Sequence, residues 1–410
     1  FQGNLSYKFS PLIKVKYEAV YDKSKSQSYS NAYKYNPDGR GTNYSEGLIQ
    51  SLDLNHTITD NIFYTLQFSY GYSDNKYYLF EDIDNPGYLP NLYSRSLGNT
   101  FFLTGGTDNY RQFRKTTTLG IKGDLVAQLF NVHEIKAGFE ARQHNLSFEG
   151  YSVEFGKQNP DGSFNPNLLN NDLLYDTNLV LLRRKPTEQS LYTQYEKKPF
   201  QLAVYVQDKI ELASTFIFNG GLRYEMFDPA AQYNPEISRN LIDSLSGNIT
   251  AYNTDAKIKH TLSPRLSISY PITDQGIIRF SYGHFYQIGS LASLYNNPNY
   301  YVINVGVTPT FGNANVQPQK SIQYEIGLQQ QLAEDLKLDV TGFYKDVSNY
   351  IYTQYIFTET GRAYQLLTNL AYSNSRGITV SLFKRRSPGE LFQGSIDYTF
   401  SIAEGNRTEP

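Results

Sequence analysis

Charged residues inside strand-like stretches are the first candidates for chemistry, because five of them recur at odd positions between apolar neighbours. They are Arg223, Glu225, Arg265, Arg279 and Glu325. In an extended chain, residues two apart share a face, so all five lie on the polar face of their strands. Guanidinium and carboxylate groups on such a face pair with one another when the face lines a wet interior. We predict structural pairing there, with direct contact to a substrate as the alternative.

A second candidate set consists of tyrosines and asparagines grouped in long polar stretches. They are Tyr77, Tyr78, Tyr88, Tyr93, Tyr295, Asn296, Asn297, Tyr300 and Tyr301. Tyrosine rings stack on sugars, peptides and chelates, and amides form hydrogen bonds with them. The same side chains also pack one loop against another, or form an aromatic girdle at a membrane surface. Both interpretations stay open at the level of the sequence.

Metal and catalytic sites have weaker support. Glu81, Asp82 and Asp84 offer hard oxygen ligands of the kind Ca²⁺ prefers, but they lack the spacing of a known calcium loop. A solvated acidic loop is the favoured interpretation. The five histidines are scattered and no two share metal-ligand spacing on one element, and G-x-S-x-G, Walker and G-x-G-x-x-G motifs do not occur. We therefore predict no enzyme, no metal and no cofactor.

The elements that must position these residues are long runs of alternating apolar and polar residues. Between Phe200 and Tyr286, two successive hairpins keep this two-residue period. Similar runs give about fourteen antiparallel strands, at about 3–10, 13–21, 48–58, 62–73, 114–129, 132–148, 198–212, 215–227, 258–271, 276–287, 320–332, 335–347, 367–384 and 392–403. The connections alternate between short turns and long polar stretches, the latter at 22–47, 74–113, 149–197, 228–257, 288–319 and 348–366.

Period two alone does not separate a soluble β-sandwich from a membrane barrel. Three features favour the barrel: runs long enough to cross a bilayer, short turns at one end with long loops at the other, and charges confined to the polar face. A lysine or arginine facing lipid at the midplane costs about 2–4 kcal/mol, so that confinement is informative. The prediction is an all-β, antiparallel transmembrane β-barrel with an apolar outer face and a wet lumen.

Composition is consistent with this and excludes other classes. The 410 residues include 37 Tyr and 25 Phe, which suit strands and membrane boundaries. A net charge of -2 gives no reason to expect nucleic-acid binding, and zero cysteines exclude disulfides and thiolate sites. No apolar run is long enough for a spanning helix. Because Phe1 already lies in a strand-like run and Glu404 begins a trailing loop, we expect a fragment of a longer protein.

Three segments carry a resemblance to a known family. Residues 262–287 read LSPRLSISYPITDQGIIRFSYGHFYQ, residues 200–229 include AVYVQDKIEL and NGGLRYEMFDP, and residues 315–347 include NVQPQK and LKLDVTGFYKDV. These segments resemble the barrel of TonB-dependent outer-membrane transporters, most closely the Oar-like branch. The family more often has N-x-x-L-K-P-E-K in the third segment, so Val316, Gln317 and Gln319 depart from it. The match is clear over about 198–403 and weaker before that.

The resemblance implies a barrel of about 22 strands, of which residues 1–410 would supply about fourteen. An N-terminal plug domain, a TonB box and the final strands are expected outside this sequence. The implied function is active transport of a scarce chelate, oligosaccharide or peptide across the outer membrane of a Gram-negative bacterium. The implied partners are outer-membrane lipid, TonB and the small-molecule, sugar or peptide substrate, with no nucleic acid, and the lumenal arginines could also pair with plug carboxylates.

Two alternatives remain beside active transport. The barrel could serve as a scaffold whose outer loops bind a surface lipoprotein or a secretion or adhesion complex, since large loops suit partner binding. It could also be a passive porin.

Overall fold

The computed structural model describes residues 1–90, 106–130, 132–168, 179–186, 192–212, 216–235, 254–297, 308–357, 363–387, 389 and 391–406. Three predicted site residues, Tyr93, Tyr300 and Tyr301, lie outside these ranges. In the described residues no helix is both long enough and apolar enough to cross a membrane. Within the same ranges, helical structure is limited to two single 3₁₀ turns, Asn31–Tyr33 and Pro37–Gly39, and to α1, Leu291–Leu294.

Strands account for nearly all of the regular structure. In chain order they are β1 Gln2–Lys8, β2 Ile13–Ser26, β3 Thr42–Thr59, β4 Ile62–Tyr78, β5 Tyr110–Leu129, β6 His133–Ser152, β7 Glu154–Gln158, β8 Phe164–Asn165, β9 Leu181–Arg184, β10 Tyr192–Lys197, β11 Phe200–Leu212, β12 Phe216–Asp228, β13 Gln232–Tyr233, β14 Thr254–Asp255, β15 Lys259–Thr273, β16 Gly276–Gln287, β17 Thr310–Phe311, β18 Gln319–Ala333, β19 Leu336–Phe357, β20 Ala363–Lys384 and β21 Gly394–Gly405. Each of the fourteen strands predicted from the sequence is present.

Sixteen of these strands form one sheet, in which neighbours along the chain are neighbours in space. The order is β1-β2-β3-β4-β5-β6-β11-β12-β15-β16-β18-β19-β20, with β21 on the other side of β20. All of these pairs are antiparallel, and only the two-residue β17 joins in parallel, on β20. This up-and-down order confirms the predicted antiparallel barrel architecture.

One wall strand is built from two segments. β10 pairs with the end of β6 nearer the long connections, which we call the upper end, and β11 pairs with the end nearer the short turns, which we call the lower end. Both strands therefore occupy the same position in the sheet. The break falls at Pro199, which has no N–H to donate to a ladder. Its carbonyl still accepts a hydrogen bond from the amide of His144 at 3.0 Å, which keeps the two segments in line.

Several strands extend further than the sequence predicted. The predicted long connection at 348–366 is wrong over most of its length, because β19 continues to Phe357 and β20 begins at Ala363. Tyr77 and Tyr78 likewise end β4 instead of lying in a loop. Backbone pairing continues through these segments, and apolar residues there, such as Leu366 and Leu367, are buried inside the protein. A bulge at Asn349, whose φ is 55°, interrupts the pairing of β19 with β20.

The register separates two chemically different faces across the whole sheet. Arg265 lies opposite Gly221 on one side and Gly283 on the other, and Glu325 lies opposite Ser281. The opposite face carries large apolar side chains that the chain itself leaves exposed, namely Leu52, Phe68, Leu119, Val206, Leu222, Ile326 and Ile378. A continuous exposed apolar face of this kind requires lipid contact, which confirms the predicted apolar exterior.

Candidate functional site

The first part of the candidate site is a group of charges on the polar inner face of β6 and β12. The Nε of Arg223 donates to Glu225 at 2.8 Å, and its Nη2 lies 3.7 Å from a carboxylate oxygen of Glu140. Glu140 also forms an ion pair with Arg142. Because β11 lies between β6 and β12, this network crosses three strands of the wall. The predicted lumenal residues Arg223 and Glu225 are therefore paired with each other.

Arg279 reaches across a whole strand to its partner. Its Nη2 donates to Asp339 at 2.7 Å and to the hydroxyl of Thr341 at 2.9 Å, although β18 separates β16 from β19. The residue beneath the guanidinium is Gly327. A Cβ at that position would lie 2.5 Å from Nε of Arg279, so the missing side chain is what lets the arginine cross.

Arg265 and Glu325 differ from the other predicted lumenal residues. The guanidinium of Arg265 stacks on the ring of Phe285, 4.7 Å from its centre, and it forms no ion pair with any part of the chain that the structure describes. Within the described residues Glu325 accepts one side-chain hydrogen bond, from the hydroxyl of Ser281 at 3.3 Å. Both side chains are exposed on the inner face. Their charges therefore remain available to a second molecule or domain.

Two cavities run along this inner face and meet at Arg223. One, of about 450 Å³, is lined by Arg223, Arg265 and Glu325 among others. The second, of about 480 Å³, is lined by Glu140, Arg142, Glu225 and Lys259 among others. Sequence reasoning singled out neither Glu140 nor Arg142. Their even positions in β6 carry the same polar periodicity, so the signal was present in the sequence.

The segment that follows β16 packs against strand ends on the side of the sheet that carries the long connections. Leu294 and Tyr295 belong to a buried apolar cluster that also contains residues of β6, β10, β12 and β20. β6 and β20 are seven strand positions apart, roughly 34 Å along a flat sheet at 4.8 Å per strand. One cluster reaches both strands, so the segment bridges two distant parts of the wall.

Polar contacts hold the segment that follows β16 in place. The hydroxyl of Tyr295 donates to the carbonyl of Pro229 at 2.7 Å, and burial raises the pKa of this phenol, with Asp228 adding to the effect. The amide of Asn296 donates to the carbonyl of Thr310 at 2.9 Å. Lys259, which is buried, donates to Asn315 at 2.7 Å. These contacts support the loop-packing interpretation of Tyr295 and Asn296, although the sequence did not indicate their partners.

The remaining predicted aromatics are also engaged within the chain. Tyr88 is fully buried, and its hydroxyl donates to the carbonyl of Phe80 at 2.9 Å. Tyr78 stacks on Tyr44 with ring centres 4.8 Å apart, and the hydroxyl of Tyr77 bonds to Asp108. These positions support the loop-packing interpretation for all three tyrosines. Asn297, three residues after the end of α1, adopts a left-handed backbone conformation.

The predicted acidic group does not form a metal site in the described part of the chain. The carboxylate of Asp82 accepts a bond from the amide of Asp84 at 3.0 Å, which is a local turn. The carbonyl of Glu81 accepts a bond from Arg111 at 2.7 Å. Among the described residues, no three His, Asp or Glu side chains come together as metal ligands.

A small cavity near the tips of the first hairpins was not predicted from the sequence. It measures about 390 Å³ and its lining includes Tyr33, Tyr110 and Phe155 together with Asp108 and Asn109. Aromatic rings beside a carboxylate and an amide are suited to a polar organic ligand. The residues come from three connections that are far apart in sequence, so no local pattern marks the cavity.

Comparisons with known proteins agree with this architecture. The family described as TonB dependent receptor-like, beta-barrel matches residues 4–409. No curated protein matches the sequence. Similar solved structures include the outer membrane transporter YddB from Escherichia coli, with 13% identity, a TM-score of 0.66, and coverage of 98% of this chain and 48% of that one.

Two receptors show the same relation. The ferric enterobactin receptor PfeA of Pseudomonas aeruginosa has 15% identity and a TM-score of 0.63, covering 98% of this chain and 50% of that one. The siderophore receptor PiuA of Acinetobacter baumannii has 16% identity and a TM-score of 0.58, covering 98% and 56%. At these identities the likeness shows the fold. The chain spans about half the length of the structures it matches.

Proposed function

Because the chain belongs to the TonB-dependent receptor β-barrel family, whose barrels lie in the Gram-negative outer membrane, we propose that it forms part of the wall of an active transporter. In this proposal a plug domain and a TonB box precede residues 1–410 in the full-length protein, and further strands complete the barrel. TonB supplies the energy that moves the plug. A scarce solute captured outside then passes along the inner wall.

The observation that carries the proposal is the charged inner wall together with the segment around Tyr295, which packs with residues of β6, β12 and β20. In this proposal the segment narrows the path through the completed barrel, whereas a passive pore works best with an open path. Among the described residues Arg265 and Glu325 form no ion pair, and both are turned inward. An arginine stacked on an aromatic ring leaves the edges of its guanidinium free for bidentate binding of a carboxylate. These residues suit contact with a plug domain or with a solute that passes it.

The proposed substrate class is a chelate, an oligosaccharide or a peptide. Proteins with a similar fold include siderophore receptors and a copper transporter, which are named for their own substrates. In this chain the cavity around Tyr33, Asp108 and Tyr110 combines rings, a carboxylate and an amide. That chemistry fits a polar solute with several hydrogen-bonding groups.

The test is an uptake experiment on the full-length gene in its own host. Deleting the gene should abolish growth on, or accumulation of, one limiting solute from these three classes, and deleting TonB should have the same effect. Supplying the full-length gene should restore uptake only when TonB is present. Uptake that persists without TonB, or a large open conductance in planar bilayers, would contradict active transport and favour a porin.

A second candidate function is a scaffold for a surface partner. It is favoured by a separate three-stranded sheet, β8-β7-β9, within the connection between β6 and β10. Arg184 of β9 connects the three strands of this sheet, because it donates a hydrogen bond to Glu154 of β7 at 2.8 Å and stacks on Phe164 of β8. Deleting residues 153–186 should then release a co-purifying surface lipoprotein while solute uptake is unchanged. Loss of uptake with no partner lost would exclude the scaffold.

A further inference from the structure

Four lysines lie on the outward face of β2, β4 and β5, immediately above the apolar belt. They are Lys23, Lys25, Lys76 and Lys115, and we refer to them as the lysine band. The register places Lys23, Glu46, Asp74 and Lys115 side by side in one row across four strands. Lys25 and Lys76 lie in the next row up, on either side of Tyr44.

The height of the lysine band matches that of lipid headgroups. Leu48 stands eleven residues above Thr59, at the short turn of β3. At 3.3 Å per residue and a tilt near 45°, this is roughly 26 Å of height, close to the 25 Å of a barrel's apolar belt. Leu48 pairs with Tyr21 and Tyr72, aromatics typical of the belt's upper edge. The lysine band begins one row higher.

The charge of the band is only partly neutralised by the two acids in its rows, since four lysines stand against Glu46 and Asp74. Asp74 pairs with Lys76 at 3.1 Å, and Glu46 accepts a hydrogen bond from the hydroxyl of Tyr21 at 3.2 Å. Within the ranges that the structure describes, Lys23, Lys25 and Lys115 form no ion pair. Lys25 lies over the ring of Tyr44 and Lys115 over that of Tyr72, 5.5 and 5.3 Å from their centres.

Other outward-facing charges near this level include the pairs Arg376 with Glu404, 3.4 Å apart, and Lys198 with Glu196, 3.8 Å apart. Lys320 also faces outward on β18, next to the row that holds Asp346 of β19. The four lysines of the band differ from these residues in being grouped on neighbouring strands. An ammonium group just above lipid-facing aromatics lies at the depth of the headgroup phosphates, and its aliphatic stem covers apolar surface.

From this placement we propose that the lysine band binds the phosphate groups of anionic lipid headgroups in the outer leaflet. The lipid chains would lie against the apolar belt formed by Leu52, Phe68 and Leu119, all exposed on the same face. Two contacts, phosphate on lysine and acyl chain on aliphatic side chain, then hold the same molecule. Neither contact requires the transport activity.

The experiment uses the full-length protein in an uncharged detergent, with bound lipids counted by native mass spectrometry. The probes are phosphatidic acid and phosphatidylcholine with identical acyl chains. We expect phosphatidic acid to bind preferentially, and the quadruple variant K23Q/K25Q/K76Q/K115Q to weaken that binding at least about tenfold, given the attraction of each lysine near an anionic surface. Raising the salt from 50 to 500 mM should weaken binding to the wild-type protein.

The matched control is K14Q/K16Q/K122Q/K136Q, which removes four lysines from the inward face of β2, β5 and β6. It should bind phosphatidic acid as the wild type does, and the charge-conserving K23R/K25R/K76R/K115R should also bind it. Heat-modifiable gel migration verifies that each variant is folded. Equal loss in both glutamine variants, or retention in the first, overturns the proposal. Displacement of the lipid by an equal concentration of inorganic phosphate also overturns it, because the site would then belong to free phosphate.

Discussion

Replacing Gly327 by alanine should break the ion pair between Arg279 and Asp339. The new Cβ would lie 2.5 Å from Nε and 2.9 Å from Cγ of Arg279, so the guanidinium must leave its path across β18. The side chains of Arg279 and Asp339 are 45% and 20% exposed, which places the pair between a surface and a buried one. With solvent screening, we expect a loss of about 0.5–1 kcal/mol in the free energy of unfolding.

The control is Gly342→Ala on the neighbouring strand β19. The nearest atom to a Cβ at Gly342 is 3.6 Å away, an ordinary contact, so this change should be close to neutral. Both variants should be measured in the full-length protein in phospholipid vesicles, by urea titration followed by circular dichroism. The pair of measurements separates the effect of losing a glycine from the effect of displacing Arg279.

A double-mutant cycle with Asp339→Asn completes the test. If Gly327→Ala acts through the ion pair, it should cost less than about 0.3 kcal/mol once Asp339 has lost its charge. An equal cost in both backgrounds would refute the reasoning, and so would a Gly327→Ala variant no less stable than Gly342→Ala. Either result would mean that Arg279 finds another path to the carboxylate, or that the pair contributes nothing.

Three further predictions concern the two faces and the segment that follows β16. Ile326→Arg, on the outward face, should lower the free energy of unfolding in vesicles by about 2–4 kcal/mol. Ser281→Arg, on the inward face beside Glu325, should change it by less than about 0.5 kcal/mol. Similar costs at both positions would contradict the assignment of the faces. Tyr295→Phe removes the hydrogen bond to the carbonyl of Pro229 and should cost about 1–2 kcal/mol of local stability, measured as roughly tenfold faster hydrogen exchange over 288–297. The control is Tyr350→Phe at an exposed position, which should leave hydrogen exchange unchanged. Arg265→Ala should leave the free energy of unfolding within about 0.5 kcal/mol of the wild type, yet reduce solute uptake. Arg223→Ala should lower the free energy of unfolding by about 1–2 kcal/mol, because Glu225 and Glu140 lose their partner. Equal losses in the two variants would show that Arg265 is structural.

The strands were predictable because their signal is local. An apolar residue at every second position, interrupted by a turn such as Thr59 to Asn61, needs no knowledge of the rest of the chain. The boundaries at the upper ends were less predictable. Tyr77 and the residues after Val347 lack a regular apolar–polar alternation, yet they keep their backbone partners.

The candidate site was predicted in part. The two-residue alternation predicted one shared face for four charged residues, and the register agrees. They are Arg223, Arg265, Arg279 and Glu325. Their partners were not predictable, since Arg279 meets Asp339 sixty residues away and only because Gly327 lies between them. For Tyr295 the sequence left ligand contact and loop packing both open, and the fold buries its ring in one cluster with Tyr195 and Phe227.

The sequence by itself therefore determined the all-β architecture, the two faces and the strand positions, because a two-residue period and turn residues act over a few neighbouring positions. The tertiary structure decided which charges are neutralised, which remain available, and which connection packs against distant strands. Those outcomes depend on the register between strands and on how a sheet of fourteen wall strands brings β6 and β20 against one segment. Contacts between residues so far apart leave no periodic trace along the chain.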